Sequence, residues 1–271
     1  MSKIELGPVG AVLSPAADGF LDAAVELEDL GYSTIWLTGG PLSSLGQIAD
    51  LVRATRTVRV ASGIISVDRF EPEAVAALYA DLEATHPGRF VVGLGGAHGA
   101  KPVQTLTTYL DALGSVPVTA RVMAALGPRM LDLARRRAAG AFPVLVTPDY
   151  TAHARSLLGE DTTLAIEQLV VLDTDPGHAR GIARGPLGFL STVPAYPANF
   201  RRMGFTEDEI AHLDDRLVDA LVAWGDVHAV EARVAEHARA GADHVAVSVT
   251  TAAPETIPIN QWRELAKTLI P

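Results

Sequence analysis

Short runs of β-branched and aliphatic residues alternate with amphipathic helical segments along the whole chain, and this alternation restricts the fold more than any other feature. It is typical of repeated βα units that build a parallel sheet. Eight runs are predicted to be strands, at residues 8–13, 34–38, 58–65, 90–94, 121–126, 142–146, 164–172 and 244–249. Eight units favour a closed (β/α)8 TIM barrel over an open doubly wound sheet, and the 271 residues suit one barrel domain over residues 1–271.

Residues with known preferences for helix ends mark the segments between these strands. Pro72 is predicted to open a helix, and Ser43, Asp149 and Asp175 are predicted to act as N-caps. Glycines are predicted to end helices ahead of the next strand, at Gly31, Gly88, Gly114, Gly140 and Gly241. Ligand-binding residues are then expected in the loops that follow the carboxyl ends of the strands.

One connection is longer than the repeat requires. Roughly seventy residues separate the seventh predicted strand from the eighth, about twice what a helix and two loops need. We therefore predict an inserted lid over the barrel mouth at residues 184–212. Within and beside it, Tyr196, Phe200 and Phe205 are candidate substrate walls or core residues, and Thr206 is a predicted N-cap with Glu209 three residues later.

Composition excludes several classes of partner. Asp and Glu total 32 against 22 Lys and Arg, and no basic stripe is present, so nucleic acid is a poor candidate. The chain contains no cysteine, which removes disulfides and thiolate chemistry. No apolar run reaches the roughly eighteen residues of a membrane span, and the N-terminus lacks the pattern of a signal peptide. We expect a cytoplasmic protein that acts on a small molecule.

The stretch after the fourth predicted strand, GLGGAHGA, is the first candidate site. Glycines at positions 93, 95, 96 and 99 allow the backbone to approach a planar ligand, and His98 can exchange a proton near neutral pH. The alternative is a glycine loop with a solvated histidine. After the second strand, Gly39 and Gly40 leave room for a flat ring or for substrate, or else form a plain loop.

A second candidate site follows the fifth predicted strand. Gly127 makes a turn and Pro128 opens a helix, so that free N–H groups at the helix start, with Arg129 beside them, would bind one phosphate. The alternative is an ordinary turn with a surface arginine. Thr147 and Pro148 stand at the equivalent place after the sixth strand.

Several familiar barrel chemistries lack their residues here. The histidines other than His98 do not converge with carboxylates at strand ends, which disfavours a metal site, and no pair of acids suits glycoside hydrolysis. The only lysines are Lys3, Lys101 and Lys267, which disfavours a Schiff base. A glycine-lined mouth with one phosphate site indicates a bound organic cofactor.

Four segments together resemble luciferase-like flavin monooxygenases: HPGRFVVGLGGAHG (86–99), ALGPRMLDLA (125–134), VLVTPDYTAHAR (144–155) and DRLVDALVAWGD (215–226). Within that superfamily the pattern is most similar to a short actinobacterial branch of oxidoreductases that use the deazaflavin coenzyme F420. The resemblance implies a barrel with an insertion near the seventh strand and a flavin-like ring across the mouth. It also implies a cis peptide at Gly63–Ile64.

Site residues follow from the resemblance position by position. It implies that the ring lies near Thr38, Gly63, Ile64, Ile65, Gly96, Ala97 and His98, with Thr147 and Pro148 also in the cofactor site. The phosphate would sit on the turn formed by Leu126, Gly127, Pro128, Arg129 and Met130. His98 stands where related sugar-phosphate dehydrogenases carry a catalytic carboxylate, so it is the candidate proton donor or acceptor. Gly39, Gly40, Tyr196 and Phe200 are the candidate substrate contacts.

The chain departs from the family pattern after the second strand. Several members carry an acid and a histidine there, whereas this chain has Thr38-Gly39-Gly40. The favoured hypothesis is an F420-dependent oxidoreductase that transfers a hydride to or from a small organic substrate. The alternatives are an FMN-dependent monooxygenase and a barrel that binds cofactor without turnover. Family members often form homodimers, but the sequence indicates no interface.

Overall fold

A computed structural model describes residues 3–270, in which strands and helices follow one another along the chain. The strands are β1 (Val9–Leu13), β2 (Thr34–Thr38), β3 (Arg59–Gly63), β4 (Ile65–Ser66), β5 (Phe90–Gly95), β6 (Arg121–Met123), β7 (Gly140–Ala141), β8 (Thr163–Leu172), β9 (Val222–Gly225) and β10 (His244–Val249). The helices are α1 (Phe20–Asp29), α2 (Gly46–Ala54), α3 (Pro72–Thr85), α4 (Pro102–Ala112), α5 (Pro128–Arg137), α6 (Pro148–Leu158), α7 (Pro176–Ser191), α8 (Ala195–Arg202), α9 (Glu207–His212), α10 (Asp215–Leu221), α11 (Val227–Arg239) and α12 (Ile259–Leu269).

The strands form a closed parallel barrel. Neighbours pair in the order β10, β1, β2, β3, β5, β6, β7, β8, and β10 also pairs with β8, which closes the sheet. β3 and β4 share one barrel position, with a break at Ile64, and β9 lies outside the eight positions beside the end of β8. The predicted eight-stranded TIM barrel is therefore confirmed.

Apolar residues alternate between two cores, as the pleat of a half-buried strand requires. Side chains of one set fill the barrel interior, including Val12, Trp36, Ala61, Val91 and Ala246. Side chains of the other set pack between the barrel and its helices, where Leu27, Ile35 and Leu51 are wholly buried. Within residues 3–270, no helix combines the length and apolar character that a bilayer span requires.

Two strand predictions need correction. The fifth barrel strand ends at Met123 and not at Leu126, because the chain leaves the sheet to form the turn before α5. The sixth is Gly140–Ala141 and precedes the predicted run at 142–146. That run joins the sheet through the Phe142 N–H, which donates to the Met123 carbonyl, and through a bridge between Val144 and Glu167. Gly140 therefore belongs to a strand and does not end a helix. A Cβ at Gly140 would lie 2.9 Å from the Thr163 carbonyl oxygen, which explains the glycine.

The helix starts agree with the sequence in part. Pro72, Pro128 and Asp175 open or cap helices as predicted, and the Thr206 and Glu209 side chains form a capping box. Ser43 is not an N-cap, because its hydroxyl bonds the Gln47 side chain and α2 begins at Gly46. Asp149 is not a cap either, since Thr147 accepts the N–H of Tyr150 at the start of α6.

The long connection between β8 and β10 contains α7 to α11 and β9. Its helices share a separate small core that includes Leu187, Phe200, Phe205, Ile210 and Leu217. The predicted lid at 184–212 corresponds to the end of α7, α8 and α9, so this segment has a packed interior of its own.

Candidate active site

The carboxyl ends of the strands surround a mouth that is closed from below by aromatic rings. Trp36 and Phe142 stack in the barrel interior with centroids 3.8 Å apart and planes inclined by 2°. The Trp36 indole N–H donates to His244 Nε2 over 3.0 Å, and the other His244 nitrogen lies 2.7 Å from the Gly7 carbonyl oxygen. Burial lowers the pKa of His244 to about 4, so the imidazole is neutral and these rings form a fixed floor.

Thr38 and Gly63 are register partners at the ends of β2 and β3, directly above this floor. The Gly63–Ile64 peptide bond is cis, as predicted. Ile64 packs against the interior cluster, whereas Ile65 is wholly buried in the core between barrel and helices. Only the backbone of Ile65 can therefore reach a ligand at the mouth.

Gly39 and Gly40 differ in their surroundings. A Cβ at Gly39 would lie 1.5 Å from the Ile64 carbonyl oxygen, so Gly39 permits two backbone segments to touch and leaves no free space for a substrate. Gly40 faces open space, and its carbonyl accepts a hydrogen bond from Arg69 over 2.9 Å. Arg69 also bonds the Leu42 carbonyl and thereby fastens the loop after β2.

The loop after β5 is held by an aspartate that sequence reasoning missed. The His98 backbone N–H donates to Asp68 Oδ2 over 3.0 Å, and His98 Nδ1 lies 3.0 Å from the same oxygen. Hydrogen bonding from the His98 backbone, followed by its imidazole, lowers the pKa of Asp68. His98 is exposed at the lip of the mouth. An acid and a histidine are thus in contact across the ends of β4 and β5, and an acid after the third predicted strand was the only signal of this contact.

Two further predicted residues of this loop adopt left-handed backbone conformations. Gly96 has φ of 86°, and a Cβ there would lie 2.7 Å from the Ser66 hydroxyl. Ala97 has φ of 59° and is buried. Both residues are brought beside Asp68 and His98, at the strand end next to Ile64.

The turn at residues 126–130 precedes α5 and forms the second part of the site. Gly127 caps α5 in an extended conformation without a side-chain hydrogen bond, and Pro128 occupies the first turn. The Tyr150 hydroxyl donates to the Leu126 carbonyl over 2.8 Å and fixes the turn. The Met130 N–H is already bonded to the Gly127 carbonyl over 3.0 Å, so it is less available to an anion than expected.

An arginine from α8 covers this turn. A Cβ at Gly127 would lie 3.3 Å from Arg202 Nη2, and Arg202 Nη1 donates to Asn199 Oδ1 over 2.7 Å. In the part of the chain that the structure describes, no carboxylate forms an ion pair with Arg202. Arg129, the predicted partner of the phosphate, is exposed outside this cavity. Sequence spacing could not reveal Arg202, because α8 lies in the long connection.

Arg202 lines a cavity of about 420 Å³ that joins the turn to the start of α6. Leu126, Pro128 and Thr147 line its barrel side, and Asn199 and Met203 line the side formed by α8. The cavity brings Arg202 to the start of α5, which has no side-chain cap, and a cation at a helix start is suited to an anion. Asp149 is the one carboxylate among its lining residues.

Glu167 is the main residue that the sequence analysis overlooked. It pairs in register with Ala246 and faces the barrel interior, one layer below Ser248. Burial raises its pKa to about 7, and a hydrogen bond from Ser248 opposes this only in part. Burial, and then the Glu167 carboxylate, raise the pKa of Tyr196. A lone Glu within an aliphatic strand gives no pattern, which is why it was missed.

The remaining predicted substrate residues lie on α8. Tyr196 is partly buried near Glu167, whereas Phe200 is wholly buried in the small core of the long connection and lines no open surface. Phe205 also packs in that core. Across residues 3–270, no three His, Asp or Glu side chains come together in a way that would bind a metal ion.

A larger cavity of about 810 Å³ opens at the mouth between α7 and the loop after β10. Thr38, Ser248 and Leu13 line it at the barrel end, and Trp262 lines it from α12. We refer to it as the mouth cavity. Its volume is typical of sites for small organic molecules, which range from roughly 300 to 1,000 Å³.

Comparison with known proteins finds a family model that matches part of the chain. The model of the luciferase-like monooxygenase family matches residues 4–109, which include β1 to β5. The chain shares the barrel fold of luciferase-like enzymes. Two uncharacterized proteins of Bacillus subtilis, YvbT and YceB, are 31% and 32% identical over 108 and 110 residues. These matches cover 36% of this chain and about a third of each relative, 32% and 33%.

Solved structures match along the full barrel. An F420-dependent secondary alcohol dehydrogenase has a TM-score of 0.74 at 15% identity, covering 100% of this chain and 99% of that one. The F420-dependent tetrahydromethanopterin reductase of Methanopyrus kandleri has a TM-score of 0.72 at 17% identity, covering 98% of both chains. An FMN-containing Baeyer–Villiger monooxygenase from Pseudomonas putida has a TM-score of 0.65 at 12% identity, covering 96% of both. At these identities the likeness concerns the fold.

Proposed function

We propose that the protein is an oxidoreductase that binds coenzyme F420 across the barrel mouth and acts on a small organic substrate. The observation that carries this proposal is the anion site made by Arg202 and the start of α5, beside a glycine-lined mouth. The F420-dependent enzymes among the proteins of the same fold support it. When bound, the deazaflavin would supply the hydride acceptor or donor.

The residues present fit a phosphorylated flavin-like cofactor. Arg202 would neutralise the phosphate from one side, while Gly127 and the Arg129 N–H in the first turn of α5 would contact it from the other. Because β5, β6 and β7 are neighbours, the loop at Gly96–His98 and this turn lie at successive positions of the rim. Thr38, Gly63, Ile64, Gly96 and Ala97 would then support the ring.

His98 is the proposed proton donor or acceptor. Asp68 accepts a hydrogen bond from one ring nitrogen, which would fix the orientation of the imidazole and leave Nε2 to exchange a proton. Glu167 is a second group that can hold a proton, inside the mouth. We also propose that residues 184–212 cover the bound cofactor, since Arg202 comes from this segment.

Binding titrations of F420 and FMN, followed by ligand fluorescence, test the proposal with three variants. Arg202→Ala and Gly127→Asp are each expected to weaken F420 binding by about tenfold or more, because one removes a charge-assisted bond and the other places a carboxylate against Arg202. Arg129→Ala is the matched control and should weaken binding far less, because Arg129 lies outside the cavity.

Unchanged affinity in Arg202→Ala would disprove the anion site. An FMN-containing monooxygenase among the proteins of the same fold supports FMN as the second candidate cofactor. Tight binding of FMN with no binding of F420 would replace the hydride-transfer function by a monooxygenase function on the same site.

A further inference from the structure

The mouth cavity is free of formal charge, although acidic and basic residues are common elsewhere in the chain. Its lining residues include no Asp, Glu, Lys or Arg, and the only ionisable side chain among them is His178. His178 lies at the edge, with Nδ1 2.5 Å from Asp173 Oδ2. A phosphate or carboxylate in this cavity would therefore lose water without gaining a counter-charge, which is unfavourable.

One wall of the cavity is a glycine face on α7. Gly177, Gly181 and Gly185 recur every four residues and all line the cavity. A Cβ at Gly181 or Gly185 would meet no atom within 4 Å. Glycine in a helix interior costs about 0.5–1 kcal/mol relative to alanine, and no packing of the helix requires these two. The missing side chains leave a flat wall that admits a planar molecule.

Apolar residues complete the remaining walls. Leu13, Ile182, Val249 and Ile257 line the cavity, and Phe189 stands at its rim with 73% of its surface exposed. From these observations we infer that the mouth cavity binds a flat, uncharged, largely apolar molecule. This inference rests on the proposed function only in naming that molecule as the substrate.

Calorimetric titration of the purified protein without cofactor tests the inference. The probes are benzylideneacetone, a planar uncharged ketone, and trans-cinnamate, which has the same skeleton with a carboxylate. We expect the ketone to bind and cinnamate to bind at least about tenfold more weakly, because its charge would be buried unpaired. Equal affinity for both probes, or no binding of the ketone, would overturn the inference.

Two variants locate the site. Gly181→Leu is expected to weaken ketone binding by about tenfold or more, because its side chain would occupy the cavity. Gly181→Ala is the matched control, with the same gain in helix propensity, and should bind within about twofold of the unmodified protein. Unchanged affinity in Gly181→Leu would place the ligand elsewhere.

F420 and FMN titrations on the same preparation separate the two proposals. Ketone binding without binding of either cofactor would uphold this cavity and reject the proposed function. Cofactor binding without ketone binding would uphold the proposed function and reject the inference about this cavity.

Discussion

His98 and Glu167 are the two residues proposed to exchange a proton, and they differ in position. His98 is at the exposed lip and is held by Asp68, whereas Glu167 is inside the barrel below Ser248. Burial disfavours the charged form of the Glu167 carboxyl group and raises its pKa to about 7.

The first prediction concerns these two side chains. His98→Ala is expected to lower turnover by about a hundredfold or more while cofactor affinity changes little, because only proton transfer is removed. Asp68→Asn should lower turnover less, since the imidazole remains but loses its anionic partner. His212→Ala, at another exposed histidine, is the control. Steady-state turnover and cofactor titration measure these effects. Normal turnover in His98→Ala, together with loss of turnover in Glu167→Gln, would indicate that Glu167 and not His98 exchanges the proton.

At the scale of elements, the loop after β2 and the junction of β3 and β4 are in backbone contact. The Gly39 N–H donates to the Gly63 carbonyl over 3.1 Å, and the Ile64 carbonyl occupies the place of a Gly39 side chain. The two glycines that the sequence indicated as space for a ligand therefore differ in role. Gly39 permits close contact between two backbone segments, whereas Gly40 faces open space.

The second prediction separates these uses. Gly39→Ala is expected to lower the free energy of unfolding by about 3 kcal/mol, because its methyl group would overlap a main-chain carbonyl that cannot rotate away. Gly40→Ala should change it by less than about 0.5 kcal/mol. Urea denaturation of both variants provides the measurement. Similar stability of the two variants would contradict the contact at Gly39.

At the scale of the whole molecule, two buried histidines and the partly buried Glu167 link stability to pH. Burial lowers the pKa values of His237 and His244 to about 4, and it raises that of Glu167 to about 7. Near pH 5.5 the unfolded chain carries protons on both histidines and none on Glu167, whereas the folded protein carries one on Glu167 only. The unfolded state thus binds one more proton, so stability increases with pH in this range.

The third prediction follows from this difference. The free energy of unfolding should decrease by about 1.4 kcal/mol per unit as the pH falls from 6.5 to 4.5, and in Glu167→Gln the slope should be about twice as steep. Urea denaturation at several pH values measures both slopes. A flat profile, or a shallower slope in the variant, would contradict the burial of these groups in their neutral forms.

The barrel and most of its boundaries could be predicted because alternation and helix caps are local signals. β2 and β10 occur at the predicted residues, and the capping box at Thr206 is formed. The sixth strand could not be placed, because its two small residues carry no β-branched pattern and its apolar neighbours do. Sequence reasoning could not identify Arg202, Asp68 and Glu167, because the residues that each of them contacts are distant in the chain.

The stacked Trp36 and Phe142 rings leave the barrel open at one end only. A molecule in the mouth cavity would then leave by the side from which it entered, where Phe189 stands exposed at the rim. Product would have to leave before new substrate could enter, so product release would contribute to the turnover rate. In such a dead-end site, residues at the entrance influence the rate of exchange even though they never meet the reacting atoms.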